Sequence, residues 1–570
     1  MIEERNLVVE LRDGVTLSVD VFRPDGGQNV PGLLAMSPYG KNAQSLAVPP
    51  QPFGFSPRNR SSVYNRGIEA GDPVYLTEHG YAHVIPDLRG IGESGGAYRG
   101  WCSPQEAEDG YDLVEWIAAQ PWCDGNVGMV GVSYFGAIQP IVAATQPPHL
   151  KAIMPWNAPA DFYRECTHHG GILQSFFHHL YSTSIYGRLA AVTKEECSPE
   201  ELEQRIAEVT QDTTMKLYSL AYEALTNPDR LPGWFDILMH PTDGPFYRVR
   251  SPAAMYDRIH IPSYCFSHWW GYAHMHLRGA FDNYHGIDAQ NKLRIDSMEE
   301  DQAPFPREYN AEVVRWYDYW LKGIDNGILD EPPIELYVMG TNRHRGEHEW
   351  PLARTEWTRF YLRRWERLST DIEDVGGRPD CFVQQPADET SSIGSVEYST
   401  RPFSDPVEVT GPISLTLYAS IDQTDTNWIV SLSDVAPDGS VSELTKGFLK
   451  ASHRAVDARR SQPWRPYHPH LEPEPVVPDE VYEYLIELSP TANVFKPGHQ
   501  LKLSIGCLDL AGRPSNPSIR ASHVPWHFCS AETTLHRVFH DPGYPSHLLL
   551  PVIPTADSRK APSPRSPVNR

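Results

Sequence analysis

The sequence predicts an α/β architecture built on a parallel sheet, followed by a separate β-rich domain. Three observations carry this. Short apolar runs bounded by Pro and Gly, at 31–36 (PGLLAM), 80–87 (GYAHVIPD) and 127–132 (VGMVGV), read as buried parallel strands. Helical periodicity falls between them at 104–119, where Tyr111, Val114, Ile117 and Ala118 recur on one face. Beyond about residue 355 the pattern becomes a series of short β runs separated by Asp, Gly and Pro turns.

In chain order, residues 6–22 alternate around Asp13-Gly14 as a hairpin. The strand at 127–132 runs into Ser133 and small residues that open a helix. Residues 161–250 break the alternation: the stretch KEECSPEELEQRIAEVTQ has helical spacing, so this is a helical insertion. Strands resume at 261–267 and 292–295, then a helix at 311–322 and a strand at 334–339. The expected division is therefore a core of 1–160 and 251–350, a helical insertion at 161–250, a β-sandwich or jelly roll at 355–553, and a Pro/Ser/Arg-rich disordered tail at 554–570.

Composition narrows the function classes. A chain of 570 residues with 40% apolar content has enough for several packed cores. A net charge of −24 argues against nucleic acid and against a polybasic membrane patch, since both need a positive field. The start, MIEERNLVVEL, has no basic segment followed by an apolar one, and no apolar run is long enough to span a bilayer. Eight scattered cysteines without a CxxC read as free thiols in a reducing, cytoplasmic setting. The expected partner is a small-molecule substrate, with neither nucleic acid nor membrane, and with a homodimer left open.

No cofactor is expected, and no metal. His168-His169, His178-His179 and the pair His274/His276 lack the helical spacing of a zinc motif. The string His344-Arg345-Gly346-Glu347-His348 matches H-x-x-E-H, but it has no apolar helical period and reads as a polar loop.

The chemistry-bearing motif is Gly131-Val132-Ser133-Tyr134-Phe135-Gly136, a G-x-S-x-x-G string between a strand and a helix. A serine on such a strained turn projects above the sheet, and the following N–H faces a developing oxyanion. Most G-x-S serines are turn or cap residues; here the flanking strand and helix favour a nucleophile.

The chain resembles the cocaine esterase and X-prolyl dipeptidyl aminopeptidase-like hydrolases. The resemblance rests on RDGVTLSVDVFRP (12–24), SPYGK (37–41), DLRGIGESGG (87–96), PWCDGNVGMVGVSYFG (121–136), DPVEVTGPISL (405–415), NVFKPGH (493–499) and YPSHLLLPVIP (544–554), in order along nearly the whole chain. It implies an α/β-hydrolase core, a helical cap inserted after the elbow, and a C-terminal β jelly-roll domain. It also implies Ser133 as nucleophile, with the Tyr134 backbone N–H and the Tyr39 hydroxyl forming the oxyanion hole. Asp87 and Arg89 match residues of a salt-bridged turn.

The sequence departs from that family at two places. Where the family carries its acid, Trp270 stands in the run Ser267-His268-Trp269-Trp270-Gly271-Tyr272. Where the family carries its histidine, the run is Ile295-Asp296-Ser297-Met298-Glu299-Glu300-Asp301. The first loop instead offers His268, His274 and His276, and the second offers carboxylates. A triad is defined by roles, not by chain order, so the two loops can exchange them. The swapped arrangement takes His276 as general base, His274 next, and Glu299 as orienting acid, with Glu300 and Asp296 as rivals. The other reading is a decayed site.

Two function classes follow. One is a serine hydrolase or acyltransferase acting on an ester, amide or thioester through an acyl-enzyme at Ser133. The alternative is a pseudo-hydrolase, or a lyase or isomerase that reuses the pocket and oxyanion hole.

Overall fold

The computed structural model describes residues 1–26, 29–42, 69–174, 193–194, 197–211, 214–215, 218–269, 273–297, 307–373, 375–386, 392–509 and 526–554. The tail expected at 554–570 lies, from residue 555 on, outside the described residues, as do His178 and His179.

Strands β1 (Ile2–Glu10), β2 (Thr16–Arg23), β3 (Val30–Leu34), β4 (Ala82–Pro86), β5 (Cys123–Met129) and β6 (Leu150–Ile153) form the first half of a ten-stranded sheet. A two-stranded hairpin of β7 (His168–His169) and β8 (Ile172–Leu173) stands apart. Strands β9 (Ser263–His268), β10 (Asn291–Asp296), β11 (Ile334–Val338) and β12 (Arg343–Glu347) complete the large sheet. Its order is β1-β2-β4-β3-β5-β6-β9-β10-β11-β12. Pairs from β4 through β11 are parallel, and both ends are closed by antiparallel strands. The central strands are buried on both faces, which is why they read as continuous apolar runs.

Helices cover both faces. After α1 (Pro73–Glu78), α2 (Pro104–Ala118) starts at Ser103, whose side chain accepts from the Glu106 N–H while Glu106 accepts from the Ser103 N–H. That reciprocal cap satisfies two N–H groups that a helix start leaves open. Helix α3 (Tyr134–Ala143) is buried along its whole length. In the insertion, a π-helical turn (Phe162–Thr167) precedes α4 (Pro199–Gln211), α5 (Ser219–Thr226) and α6 (Pro232–Leu238). Two further helices, α7 (Ala273–Gly286) and α8 (Arg307–Lys322), flank β10. Helix α8 lies close on β5 because Gly128 has no side chain; a Cβ there would meet the Tyr317 ring at 2.4 Å. The Tyr317 hydroxyl donates to the Met129 carbonyl.

The H-x-x-E-H string is not a loop: His344 to Glu347 form most of strand β12, and His348 lies just past its end. The strand pairs antiparallel with β11, Ile334 facing Glu347 and Val338 facing Arg343. It looked like a loop because it is an edge strand, and charged side chains there discourage pairing with another chain. Its one buried carboxylate, Glu347, is neutralised by Arg345 and Arg354.

The C-terminal part is a β domain of β13 (Glu356–Arg363), β14 (Arg367–Ser369), β15 (Asp380–Gln384), β16 (Ser395–Ser399), β17 (Val407–Ile421), β18 (Asn427–Val435), β19 (Val441–Lys450), β20 (Tyr482–Phe495), β21 (Gln500–Gly506), β22 (Thr534–Phe539) and β23 (His547–Ile553). Strand β23 pairs with both β13 and β17, closing the sheet on itself. The fold is thus the expected α/β-hydrolase core with a cap and a C-terminal β domain. One apolar cluster runs from Trp269, Leu277, Phe281 and Trp350 of the core into Ile413, Leu415, Trp428 and Leu488 of the β domain.

Candidate active site

Ser133 sits between β5 and α3 with φ 60° and ψ −116°, a conformation an L-residue adopts only under constraint. The two flanking glycines supply the room. A Cβ on Gly131 would lie 2.3 Å from Phe135 Cβ, and one on Gly136 would lie 2.3 Å from the Trp156 carbonyl oxygen. The turn is pinned by Ser133 N–H donating to the Trp156 carbonyl (2.9 Å) and Val132 N–H to the Glu69 carbonyl (3.0 Å). The G-x-S-x-x-G spacing is therefore a packing requirement at both ends of the elbow.

The Ser133 hydroxyl lies 3.3 Å from His276 Nε2, both residues 8% exposed. His276 stands near the start of α7, whereas the sequence placed it in a loop. The helix was legible in the spacing of Met275, Leu277, Ala280 and Phe281, all buried. Gly279, one turn after His276, lets α7 approach the chain after Trp156. A Cβ there would lie 2.2 Å from the Ala158 carbonyl oxygen. Asn283 adds a bond from Nδ2 to that carbonyl, 3.3 Å long. With a neutral imidazole presenting an unprotonated Nε2, this pair can pass the serine proton to His276.

Tyr134 opens α3, and the first N–H groups of a helix have no partner inside it. Its phenol is buried in a cluster of its own. The hydroxyl donates to Glu106 Oε1 at 2.7 Å, accepts from Cys102 N–H at 2.9 Å, and lies 2.6 Å from the Tyr98 hydroxyl. Burial pushes the Glu106 carboxyl up to about 8. Sequence reasoning missed this link, although the Ser-x-x-Glu cap at 103–106 was visible.

The Tyr39 ring packs edge-on against Tyr134 and Phe135, centroids 6.0 and 5.9 Å away. Its turn is anchored by the neighbouring Lys41. The Lys41 N–H donates to Asp87 Oδ1 (2.7 Å), and its fully buried ammonium sits 3.6–3.7 Å from Asp20, Asp87 and Glu93. Arg89 pairs with Asp109 and Asp13, as a salt-bridged turn would.

The remaining sequence-predicted residues are not brought to Ser133 by the described contacts. The backbone of His274 lies in α7 with its side chain outside the described residues, and Glu299 and Glu300 lie outside them altogether. Asp296 accepts from His344 Nε2 at 3.0 Å and from Arg294 at 3.2 Å. Burial drives the His268 imidazole down to about 4, so it is neutral near pH 7. Among the described residues, no group of His, Cys, Asp and Glu is arranged to hold a metal ion, and no helix is long and apolar enough to cross a membrane.

Residues 13–298 match the X-Pro dipeptidyl-peptidase (S15) family, and residues 326–549 match the X-Pro dipeptidyl-peptidase C-terminal non-catalytic domain. The cocaine esterase of Rhodococcus sp. (strain MB1 Bresler) is 28% identical over 96% of this chain and 98% of its own length. A CocE/NonD family hydrolase from Staphylococcus aureus superposes with a TM-score of 0.80 at 24% identity, covering 97% of this chain and 94% of that one. An aminopeptidase from a marine sediment archaeon, Thaumarchaeota archaeon, gives a TM-score of 0.73 at 18% identity over 97% and 96% of the two chains. The two structural likenesses speak for the fold alone. The family match spans the elbow and the sheet that carries it, and on that match the chain belongs to the X-Pro dipeptidyl-peptidase S15 family and is an α/β-hydrolase of its ester- and amide-cleaving class.

Proposed function

We propose that the protein is a serine hydrolase that cleaves a small ester, amide or thioester through an acyl-enzyme at Ser133, with His276 as general base. The observation that carries this reading is the approach of Ser133 Oγ to His276 Nε2 at 3.3 Å on a positive-φ elbow. His276 takes the hydroxyl proton as the oxygen attacks the carbonyl carbon. It then returns that proton to the leaving group as the tetrahedral intermediate collapses to the acyl-enzyme. In the second half a water molecule gives its proton to His276, attacks the acyl carbon, and releases the acid and free Ser133. The Tyr134 N–H and the Tyr39 hydroxyl stabilise the oxyanion in both halves, each donor worth about 2.7–4 kcal/mol.

A reducing, cytoplasmic setting is supported by the eight cysteines, all free thiols and six of them buried.

The test is acylation by a fluorophosphonate together with turnover of p-nitrophenyl acetate. Ser133→Ala should abolish labelling. His276→Ala should slow it by about 10²–10⁴, and Tyr39→Phe should lower kcat by about 10²–10³. Undiminished labelling in Ser133→Ala, or an unchanged rate in His276→Ala, overturns the reading.

A further inference from the structure

Helix α7 is gripped from two sides. One side bears His276 and Gly279 and lies against the backbone of residues 158–160. The other meets the β domain through Arg278 and Asp282. Arg465, from the segment between β19 and β20, makes a forked pair with Asp282 at 2.7 and 2.6 Å. Glu487 on β20 closes the cluster, 3.1 Å from Arg465 Nε and 3.4 Å from Arg278. Such a fork fixes direction as well as distance, because the planar guanidinium matches both carboxylate oxygens.

Arg465 is itself held. Its backbone exchanges two hydrogen bonds with Gln462, at 3.0 and 2.9 Å. The Ser414 hydroxyl bonds the Pro463 carbonyl at 3.0 Å. Trp464 stacks on Trp357 with centroids 4.6 Å apart. The fork therefore projects from a braced segment. Between the fork and the reacting pair lies a helix whose Leu277, Ala280 and Phe281 belong to the apolar cluster shared with the β domain.

We propose that Arg465 of the β domain is a positioning residue, fixing the rotation and axial height of α7 so that His276 Nε2 stays in reach of Ser133. The inference rests on reading His276 as the base. A histidine carried on a helix follows every shift of that helix, and a misplacement near 1 Å costs about 10²-fold in rate. The β domain thus has a part in the chemistry through Arg465, which acts on the reacting pair by way of α7.

The experiment compares fluorophosphonate acylation rates, kcat and KM for p-nitrophenyl acetate, and thermal melting in full-length variants. Arg465→Met should acylate about 10- to 100-fold more slowly with KM nearly unchanged. Arg465→Lys keeps the charge but loses the fork, so it should recover part of the rate; Asp282→Asn should behave like Arg465→Met. Arg345→Met is the control. Arg345 makes a similar fork to Glu408 across the same two domains, but from β12. That variant should melt lower and acylate at the wild-type rate. The double variant Arg465→Met with His276→Ala should be no slower than His276→Ala alone. Wild-type acylation in Arg465→Met and Asp282→Asn, or an equal loss in Arg345→Met, overturns the proposal. A slow His276→Ala beside a fast Arg465→Met rejects the clamp and keeps the base. A fast His276→Ala rejects the base, and the clamp with it.

Discussion

Ser133 Oγ and His276 Nε2 face each other at 3.3 Å across 143 residues of chain. Two local features make that approach, the elbow that lifts Ser133 and the bare Gly279 that lets α7 sink toward residues 158–160. Gly279→Ala tests the second. Its new Cβ would meet backbone at 2.2, 2.7 and 2.7 Å, and backbone cannot swing aside as a side chain can. Overpacking of this kind costs about 1–3 kcal/mol. The expected result is a lowered melting temperature with slower acylation. Ala at Gly376, where nothing lies within 4 Å, should leave both unchanged. A Gly279→Ala variant that melts and acylates like wild type would show that the close approach is not needed.

The Tyr134 hydroxyl ties the residue after Ser133 to the start of α2. Tyr134→Phe leaves the Cys102 N–H and Glu106 Oε1 without this buried partner, at a cost of about 1–3 kcal/mol. Glu106→Gln keeps an oxygen for one of its two contacts and should cost less. Chemical denaturation should rank wild type above Glu106→Gln and Glu106→Gln above Tyr134→Phe. The reverse order would assign the stability to the carboxyl and not to the phenol.

Much of the fold was legible because its central strands and principal helices have strong periods. The apolar runs at β4 and β5 and the amphipathic spacing of α2 and α8 stand out in the sequence. Edge strand β12 did not stand out, since its charged side chains remove the alternation that marks a half-buried strand. At the site, Ser133 was legible from local glycine spacing, whose physical cause is the close approach to Phe135 and Trp156. His276 could be nominated only by noting where histidine and carboxylate types had changed places. The Arg465–Asp282 fork joins residues 183 apart, and nothing local marks either partner.

Stability should peak near neutral pH, for reasons of opposite sign on its two sides. Burial pushes the carboxyls of Glu69, Glu106 and Glu165 up to about 8 from an ordinary 4.5. Between those values the folded protein keeps protons that the unfolded chain has released, so stability falls as pH rises. Burial pushes the imidazoles of His83, His268, His453 and His536 down to about 4 from 6.5. Between 4 and 6.5 the unfolded chain takes up protons that the folded one refuses, a contribution that rises with pH. In that window the four imidazoles outweigh the three carboxyls, and above it only the carboxyls still act. Melting temperature should therefore be highest near pH 6.5 and decline toward about pH 9. Glu165→Gln keeps an acceptor for the Ala160 and Asp161 N–H groups and has nothing to ionise, so its alkaline decline should be shallower. An equally steep decline in that variant would show that Glu165 is already ionised in the folded state.

The β domain should be indispensable to the hydrolase core. Trp269, Leu277, Phe281, Leu336 and Trp350 are buried in one cluster with Ile413, Leu415, Trp428 and Leu488. Phe281 stacks on Trp350 at 4.6 Å within it. Uncovering each large side chain forfeits about 1.5–3 kcal/mol, and a domain's whole margin is only about 5–15 kcal/mol. A fragment of residues 1–354 should be insoluble, or compact and molten, with dye-binding apolar surface and no cooperative melt. Helix α7 lies on that interface, so the fragment should also lose acylation at Ser133 even where its sheet survives. The measurement is far- and near-ultraviolet circular dichroism through a thermal melt, with fluorophosphonate labelling alongside. A soluble fragment that melts cooperatively and labels at the full-length rate would show that the core holds both its fold and His276 without the β domain.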